Sequence, residues 1–452
     1  MTGPVKELRP PAPVLEIARR LEQAGYETWC VGGAVRDALL GIPHQDWDLA
    51  TSATPAEMRK LFRRIVPVGE QHGTMGVLDS HGVMHEVTTF RRDVETDGRH
   101  AVVAFGASLD EDLARRDFTI NAIAYSPSRR VLHDPYGGRA DLARGVVRAV
   151  GDPRERMRED RLRALRAIRF AARFEFDIEQ ATWRAVVESA PQLTRLSAER
   201  VKEELEKTME QVARPSAAMR RWQSGGALAV LAPSLARLSD RQVAALDRVR
   251  RPADVTHRGR HDGRLLARIA LLVLHLDGRE AERALKALRF SNHQAAWVGG
   301  LVLRWRQLGE DMTRALLSPE PVADLTLRTW ARLAGRTRLA PLLRLAAAVW
   351  GAAREAGDAA PSAERVASVY RRAVRVAYRD PVELGDLAVD GDDLRAAGIP
   401  AGPLLGKILH ALLERVIADP SLNTRDRLLA LALEISRELR GRDDTPPLAE
   451  GH

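Results

Sequence analysis

Three carboxylates in the first third of the chain have the types and spacing that phosphoryl-transfer chemistry on metal ions requires. Asp46 and Asp48 flank Trp47, and Glu86 lies in a later β-branched segment. On a strand, the two-residue period places Asp46 and Asp48 on one side and Trp47 on the other, so the carboxylates converge while the indole enters the core. Such carboxylates suit Mg²⁺, and Glu86 on a neighbouring strand would complete a two-metal clamp for in-line nucleotidyl transfer. The alternative is a polar turn in which Asp46 caps a bend.

Two further segments carry groups that could bind phosphate. Residues 31–37, VGGAVRD, have the pattern of a strand end, two glycines and a helix start that includes Arg36. Glycines there let the backbone approach a phosphate, and the helix N-terminus offers free N–H groups. The alternative is a tight turn with Arg36 on the surface. Residues 110–122 place Arg115 and Arg116 among acids before a helix-starting TINA, which could clamp a triphosphate or form a salt-bridged helix surface.

A fourth segment, residues 159–170, could read a nucleobase. Helical spacing of three places Asp160 beside Arg163, and Arg163 beside Arg166. Cytosine and adenine present an exocyclic amino donor next to a ring-nitrogen acceptor, whereas guanine and uracil present the reverse order. An Asp that accepts from the amino group and an Arg that donates to the ring nitrogen would therefore accept C and A and reject G and U. The alternative is an ordinary ion pair between Asp160 and Arg163.

The elements that must position these residues change character along the chain. In the first third, helical and β-branched segments alternate between Gly, Asp and His, which predicts a mixed α+β sheet domain. Helices are predicted at about 13–24 and 34–40, and strands at about 28–31, 47–51, 65–68, 74–78 and 83–90. From about Glu155 onward the remainder is predicted to be all-helical, on the spacing of segments such as 161–173, 198–212 and 265–276.

Composition limits the class of protein. A chain of 452 residues exceeds one compact core, and hydrophobic residues at 45% with charged residues at 29% exclude a largely disordered, collagen-like or coiled-coil protein. No apolar run approaches the roughly 20 residues that span a bilayer, and residues 1–14 lack a secretory signal, so a cytoplasmic protein is expected. Cys30 is the only cysteine, which excludes intrachain disulfides and clustered-thiol metal sites.

The formal net charge of +9 is unevenly distributed. Residues 1–150 carry 19 basic and 20 acidic side chains, whereas the remainder carries 51 basic and 41 acidic ones. Because phosphate neutralisation drives sequence-independent nucleic-acid binding, this asymmetry favours a near-neutral catalytic part joined to a part that meets a polyanion.

Together, and in this order, the four segments resemble the class II tRNA nucleotidyltransferase and bacterial poly(A) polymerase family, within the polymerase-β-like nucleotidyltransferase superfamily. The resemblance covers about residues 28–210 and includes LSAERVKEEL at 196–205, which is similar to the helical neck segment of the family. The implied fold is α+β, a polymerase-β-like head with a mixed sheet followed by helical parts. The implied domains are a head at 1–150, a neck at 151–215, a body at 216–360 and a tRNA-binding tail at 361–442. The composition of residues 443–452 predicts a disordered end.

The resemblance also implies roles for individual residues. Asp46 and Asp48 would bind Mg²⁺, with Glu86 as the supporting carboxylate. The nucleotide would contact Gly33, Arg36, Arg116, Asp160, Arg163, Arg166 and Arg169. Within this set, Asp160 and Arg163 resemble the amino-acid template that selects CTP and ATP. Helix geometry fits Arg169 less well, because it lies about half a turn around from Asp160.

The implied activity is Mg²⁺-dependent addition of CCA to the 3′ end of tRNA from CTP and ATP, without a nucleic-acid template. Residues 91–100 form a polar loop similar to the flexible loop that CCA-completing members need, although it is short and lacks the usual Tyr and Pro. Residues 398–407 resemble the tail of full-length CCA-adding enzymes, and the alternative is a Gly/Pro turn that opens a helix. The alternatives are a poly(A) polymerase, a CC- or A-adding enzyme, or a non-catalytic RNA-binding protein. A His-Asp phosphohydrolase site is hinted at only by His261, Asp262, His275 and Asp277.

Overall fold

The computed structural model describes residues 8–43, 46–96, 101–249 and 263–443. The chain forms two compact units, Met1–Arg237 and Leu238–His452. The predicted domain boundaries at 150, 215 and 360 lie inside these units and remain predictions, and the predicted disordered end lies from 444 onward outside the described residues. Within the described ranges, no helix is long and apolar enough to cross a membrane.

A mixed sheet forms the centre of the first unit. Its strands and those of a neighbouring hairpin are β1 (Thr28–Val31), β2 (Asp48–Thr51), β3 (Ile65–Gly69), β4 (Thr74–Leu78), β5 (Met84–Thr89), β6 (Arg91–Thr96), β7 (Ala101–Phe105), β8 (Ala124–Ser126) and β9 (Val131–His133). The sheet order is β3-β4-β5-β2-β1-β8-β9, and β2 and β5 are parallel while the other pairs are antiparallel. The predicted mixed sheet is therefore confirmed.

Strands β6 and β7 pair with each other as a separate hairpin, where a polar loop was predicted at 91–100. That prediction was wrong for the described part of the segment. Charged side chains dominate its sequence, and the backbone pairing that forms the hairpin does not depend on an apolar alternation. Residues 97–100, at the end of the predicted loop, lie outside the described residues.

Helices surround this sheet and then make up the rest of the first unit. They are α1 (Ala12–Gln23), α2 (Gly33–Leu39), α3 (Pro55–Leu61), α4 (Leu109–Ala114), α5 (Gly138–Arg144), α6 (Pro153–Glu159), α7 (Leu162–Phe174), α8 (Gln180–Ser189), α9 (Ala198–Gln211), α10 (Pro215–Ser224) and α11 (Ala227–Leu231). Two-residue strands β10 (Val146–Val147) and β11 (Asp177–Ile178) pair in parallel among them. Two predictions differ in detail. Asp160 ends α6 instead of lying within a helix shared with Arg163, and TINA begins a short 3₁₀ turn.

The second unit is helical throughout its described residues. Its helices are α12 (Asp240–Ala245), α13 (Gly263–Leu272), α14 (Gly278–Ala287), α15 (Asn292–Leu317), α16 (Asp324–Ala334), α17 (Arg336–Glu355), α18 (Ala363–Arg379), α19 (Gly391–Ala396), α20 (Pro403–Ala418) and α21 (Arg425–Asp443). Asp277 accepts from the Glu280 N–H and caps α14, and His275 contacts Gln242 at 3.1 Å. Local structure thus accounts for both residues. His261 and Asp262 lie outside the described residues.

Candidate active site

A cavity of about 400 Å³ opens in the first unit where the sheet meets the ends of α4 and α6 and the start of α7. Its lining consists of carboxylates, arginines and a few small or β-branched residues. These are Val31, Asp48, Leu49, Thr74, Glu86, Thr88, Arg91, Arg115, Arg116, Asp117, Asp160, Arg163 and Arg166. Six of the ten residues proposed from the sequence therefore border one cavity.

Strand pairing brings two of the predicted carboxylates together. Leu49 of β2 lies opposite Val87 of β5 in parallel register, so one residue earlier Asp48 lies beside Glu86. Both side chains are partly buried and face the cavity. Asp46 lies just before β2, is exposed and does not line the cavity, because the strand begins only at Asp48.

The carboxylates of Asp48 and Glu86, on one side of the cavity, fit a hard divalent cation. Among the described residues, no group of three or more His, Cys, Asp or Glu side chains is arranged to hold a metal by itself. Mg²⁺ commonly binds through one or two carboxylates and takes its remaining ligands from waters and substrate phosphates. Asp48 and Glu86 supply two carboxylates, and the cavity beside them has room for the other ligands.

The turn at Gly32 and Gly33 lies close to Asp48 and Arg116 of the cavity. Gly32 has a φ of 74°, a backbone conformation that favours glycine, and a Cβ there would lie 3.0 Å from Arg116 Nη1 and 3.9 Å from Asp48 Oδ2. Gly33, the residue proposed from the sequence, begins α2, and a Cβ on it would make only an ordinary contact with Arg36 Nη2 at 3.5 Å. The close approach to the candidate site is therefore at Gly32, which sequence reasoning did not select.

Arg116 is held in place by a buried acid on α4. Asp112 Oδ2 accepts from Arg116 Nη2 at 3.2 Å, and Asp112 Oδ1 accepts from Arg115 Nη2 at 2.9 Å. Burial alone would raise the pKa of the Asp112 carboxyl, but the adjacent charges of Arg116 and Arg115 outweigh it and hold the pKa below its ordinary value. Asp112 is therefore ionised at neutral pH and fixes both guanidinium groups.

Arg166 is fixed in a similar way by Asp117. Arg166 Nε donates to Asp117 Oδ2 at 2.8 Å, and the Asn121 amide donates to Asp117 Oδ1 at 2.9 Å. Burial opposes ionisation of Asp117, yet the Arg166 charge and the Asn121 hydrogen bond lower its pKa overall. The guanidinium of Arg166 also lies 5.2 Å from the centre of the Phe170 ring. A rigid cation of this kind is pre-organised to bind an anionic ligand.

The two residues proposed to read the base both border the cavity, but each has a different ionic partner. Asp160 Oδ2 accepts from Arg200 Nη2 at 2.8 Å, and Oδ1 accepts from the Leu162 N–H at 3.0 Å. Arg163 donates to Glu159 Oε2 at 2.6 Å and to the Arg115 carbonyl at 2.8 Å. Asp160 precedes α7 because its carboxylate satisfies a free N–H at the start of that helix.

Two proposed nucleotide contacts, Arg36 and Arg169, do not line the cavity. Arg36 is 3% exposed, donates to Asp37 at 2.7 Å and to Asn121 at 2.5 Å. Arg169 is 4% exposed and donates to Glu204 Oε2 at 2.7 Å. Both guanidinium groups pack on aromatic rings of α7, and the position of Arg169 agrees with its unfavourable helical phase.

Sequence reasoning did not select the residues that contact the predicted site residues and hold them in place. They are Gly32, Asp112, Asp117, Asn121, Glu159, Arg200 and Glu204. All lie within segments that were singled out, at 31–37, 110–122, 159–170 and 196–205. The sequence alone does not show which segments pair in the fold, since partners such as Arg200 and Asp160 are 40 positions apart.

Comparisons with known proteins assign the chain to a family. Family models match in order along it, for the "Poly A polymerase head domain" at residues 28–148, the "RNA and SrmB- binding site of polymerase A" at 175–238 and "tRNA nucleotidyltransferase domain 2" at 266–432. A CCA-adding enzyme of Limosilactobacillus fermentum is 34% identical over 437 residues, which cover 95% of this chain and 97% of the relative. The chain belongs to the CCA-adding enzyme family.

Other members of the CCA-adding enzyme family agree in extent. The CCA-adding enzyme of Geobacillus kaustophilus is 35% identical over 95% of this chain and 98% of its own length. The crystal structure of the Bacillus stearothermophilus CCA-adding enzyme in complex with CTP matches with a TM-score of 0.75 at 30% identity, over 98% of this chain and 100% of that chain. The predicted family, fold class and enzyme class are thereby confirmed, and this chain is a nucleotidyltransferase of tRNA processing.

Proposed function

We propose that this member of the CCA-adding enzyme family builds the CCA end of tRNA from CTP and ATP, without a nucleic-acid template and with release of diphosphate. The observation that carries the proposal is one cavity with two carboxylates on the sheet, Asp48 and Glu86, and fixed arginines on the facing elements. A nucleoside triphosphate needs this combination, since its phosphates bind cations while the reacting oxygens need a metal.

We assign Asp48, the first residue of β2, and Glu86 as the residues that would hold Mg²⁺. When bound there, the metal would lower the pKa of the tRNA 3′-hydroxyl and neutralise charge on the transferred phosphate. Both carboxylates are partly buried and lie on the same side of the cavity. Asp46, the other carboxylate predicted from the sequence to bind the metal, is exposed just before β2 and is proposed as a further ligand.

The arginines would orient the triphosphate. Arg116 and Arg166 are held by Asp112 and Asp117, so their guanidinium groups need little rearrangement when a nucleotide enters. The 3′-hydroxyl would then attack the α-phosphate and diphosphate would leave. Most of the rate enhancement would come from positioning and charge neutralisation, as in phosphoryl transfer generally.

Base selection would fall to Asp160 and Arg163. Asp160 would accept from the exocyclic amino group of C or A, and Arg163 would donate to the adjacent ring nitrogen. Both side chains border the cavity that would hold the triphosphate, which places base and phosphates in one site.

The tRNA would contact the helical remainder of the chain. Its 51 basic and 41 acidic side chains after residue 150 give the excess positive charge that a phosphate backbone would neutralise. We propose a cytoplasmic location on the basis of this substrate.

The carboxylate variants test the proposal. Asp48→Ala and Glu86→Ala should each reduce incorporation of CMP into tRNA lacking CCA by at least about a hundredfold, because the loss of a metal ligand removes several kcal/mol of transition-state stabilisation. Binding of the same tRNA, measured by filter retention, should be unchanged. Glu70→Ala is the matched control, since Glu70 is an exposed carboxylate paired with Arg59 on the same unit. Full turnover by either cavity variant would contradict the assignment.

A further inference from the structure

Arg200 lies at a position where a helix does not favour a cation. It is the third residue of α9, after the N-cap Ser197, whose side chain accepts from the Arg200 N–H. That position commonly carries Glu or Gln, and the positive end of the helix dipole disfavours a guanidinium there. Helix stability therefore does not account for this residue.

Its side chain reaches the segment that borders the nucleotide cavity. Arg200 Nη2 donates to Asp160 Oδ2 at 2.8 Å, and both side chains are only 28% exposed. The second terminal nitrogen of the guanidinium, Nη1, is buried without a hydrogen-bond partner. An unsatisfied buried donor costs stability, which indicates that the guanidinium is placed for its contact with Asp160 more than for the stability of its surroundings.

The contact restricts how the Asp160 carboxylate can turn. Oδ1 is held by the Leu162 N–H at 3.0 Å and Oδ2 by Arg200, so two donors on different elements fix the plane of the carboxylate. Each oxygen keeps a second acceptor site. Without Arg200, the Asp160 carboxylate could rotate about its hydrogen bond to the Leu162 N–H. Its remaining acceptor site would then no longer point in one fixed direction.

We propose that Arg200 is a positioning residue that orients Asp160 for nucleobase selection. This inference rests on the proposed function, in which Asp160 accepts from the amino group of C or A. Arg200 does not touch the base. It holds the acceptor so that an amino group is bound and the oxo group of U or G, which is itself an acceptor, is rejected.

The test is a double-mutant cycle on base selectivity. For tRNA lacking CCA, kcat/KM is measured with CTP and with UTP for the wild-type chain, Arg200→Met, Asp160→Ala and the double variant. Arg200→Met should lower the CTP/UTP ratio about tenfold, as expected for loss of one hydrogen bond between charged groups. In the Asp160→Ala background, the same change should leave the ratio unaltered, because the residue through which Arg200 acts is absent.

Two further variants separate positioning from a purely structural role. Arg154→Met removes a more exposed Arg–carboxylate ion pair, with Glu188 at 2.6 Å, in the same unit but outside the nucleotide cavity, and should leave the ratio unchanged. Arg200→Lys keeps the charge with a shorter reach and should give an intermediate ratio, which carries the comparison if the methionine variant folds poorly. Melting temperatures are recorded for every variant.

The outcomes are distinct. A wild-type ratio in Arg200→Met and Arg200→Lys, an equal loss in Arg154→Met, or a further loss in the double variant would overturn the role of Arg200. A wild-type chain with no preference for CTP over UTP would instead overturn the proposed function itself.

Discussion

The buried pair of Arg169 and Glu204 allows a stability effect to be separated from a nucleotide contact. The two side chains are 5% and 2% exposed, and Arg169 Nε donates to Glu204 Oε2 at 2.7 Å. Removing one partner of a buried ion pair destabilises a protein by about 3–5 kcal/mol, since the other charge is left uncompensated. The Arg169 guanidinium also lies 4.4 Å from the centre of the Phe170 ring, and this contact would offset about 1 kcal/mol of that destabilisation when Glu204 is removed.

We therefore expect Glu204→Gln to destabilise the chain by about 3 kcal/mol, at the lower end of that range. For a unit of this size the melting temperature should fall by about 6–12 °C, at about 2–4 °C per kcal/mol. Replacing both partners with apolar residues of similar volume, in Arg169→Met with Glu204→Leu, should recover most of the loss because no buried charge remains. Urea denaturation followed by circular dichroism gives the free energies.

The same double variant decides whether Arg169 touches the nucleotide. The structure buries its guanidinium against Glu204 and away from the cavity lining, so the KM for CTP should stay within about threefold of the wild-type value once stability is restored. Glu204 Oε1 also lies 3.8 Å from Arg166 Nη1, so Glu204→Gln alone is the reference for any effect through Arg166. A double variant that folds normally but has a KM for CTP at least tenfold above that of Glu204→Gln would refute this reasoning, because Arg169 would then contact the nucleotide directly, as the family resemblance implies.

Two other predictions follow from the cavity. Gly32→Ala should destabilise the chain by about 1–2 kcal/mol, because Gly32 has a positive φ. It should also lower kcat/KM for CTP, because the new Cβ would lie 3.0 Å from Arg116 Nη1. Gly25→Ala is the control and should lose stability alone, since Gly25 has a φ of 91° and open space around it. The pKa values of Asp112 and Asp117 are depressed in the folded chain, so their stabilisation is present above pH 3.8 and lost as the pH falls through and below that value. Urea midpoints between pH 7 and 3 should accordingly fall less steeply for Asp117→Asn than for the wild-type chain, and equal slopes would contradict this pH prediction. An unchanged kcat/KM in Gly32→Ala would contradict the glycine prediction.

Much of the fold followed from local patterns. The predicted strands at 28–31 and 74–78 coincide with β1 and β4, because β-branched and apolar residues bounded by turn residues mark buried strands. The long helices α7 and α9 begin and end within two residues of their predicted bounds, since apolar residues recur along each with helical spacing.

The arrangement of the candidate site followed only in part. Spacing and residue type identified Asp48, Glu86 and Arg116, which line the cavity. Helical periodicity wrongly placed Asp160 in the same helix as Arg163, because a residue just before a helix can have the spacing of the helix without its backbone conformation.

The partners of the site residues could not be predicted. Arg200 pairs with Asp160 across 40 positions and Glu204 with Arg169 across 35, and a single sequence contains no signal for contacts of that range. A charged helical segment such as 196–205 is typical of a solvated surface. Only packing of α9 against α7 shows that its Arg and Glu face the interior.

The most direct test of the central claim is the length of the product. The chain is incubated with Mg²⁺ and a tRNA that lacks its terminal CCA, with CTP alone, ATP alone or both, and the products are sized at single-nucleotide resolution. We predict two added nucleotides with CTP alone and a stop after three with both nucleotides. A long ladder with ATP would indicate a poly(A) polymerase, a stop after two with both nucleotides a CC-adding enzyme, and no extension a binding protein. Each of these results would contradict the proposed function.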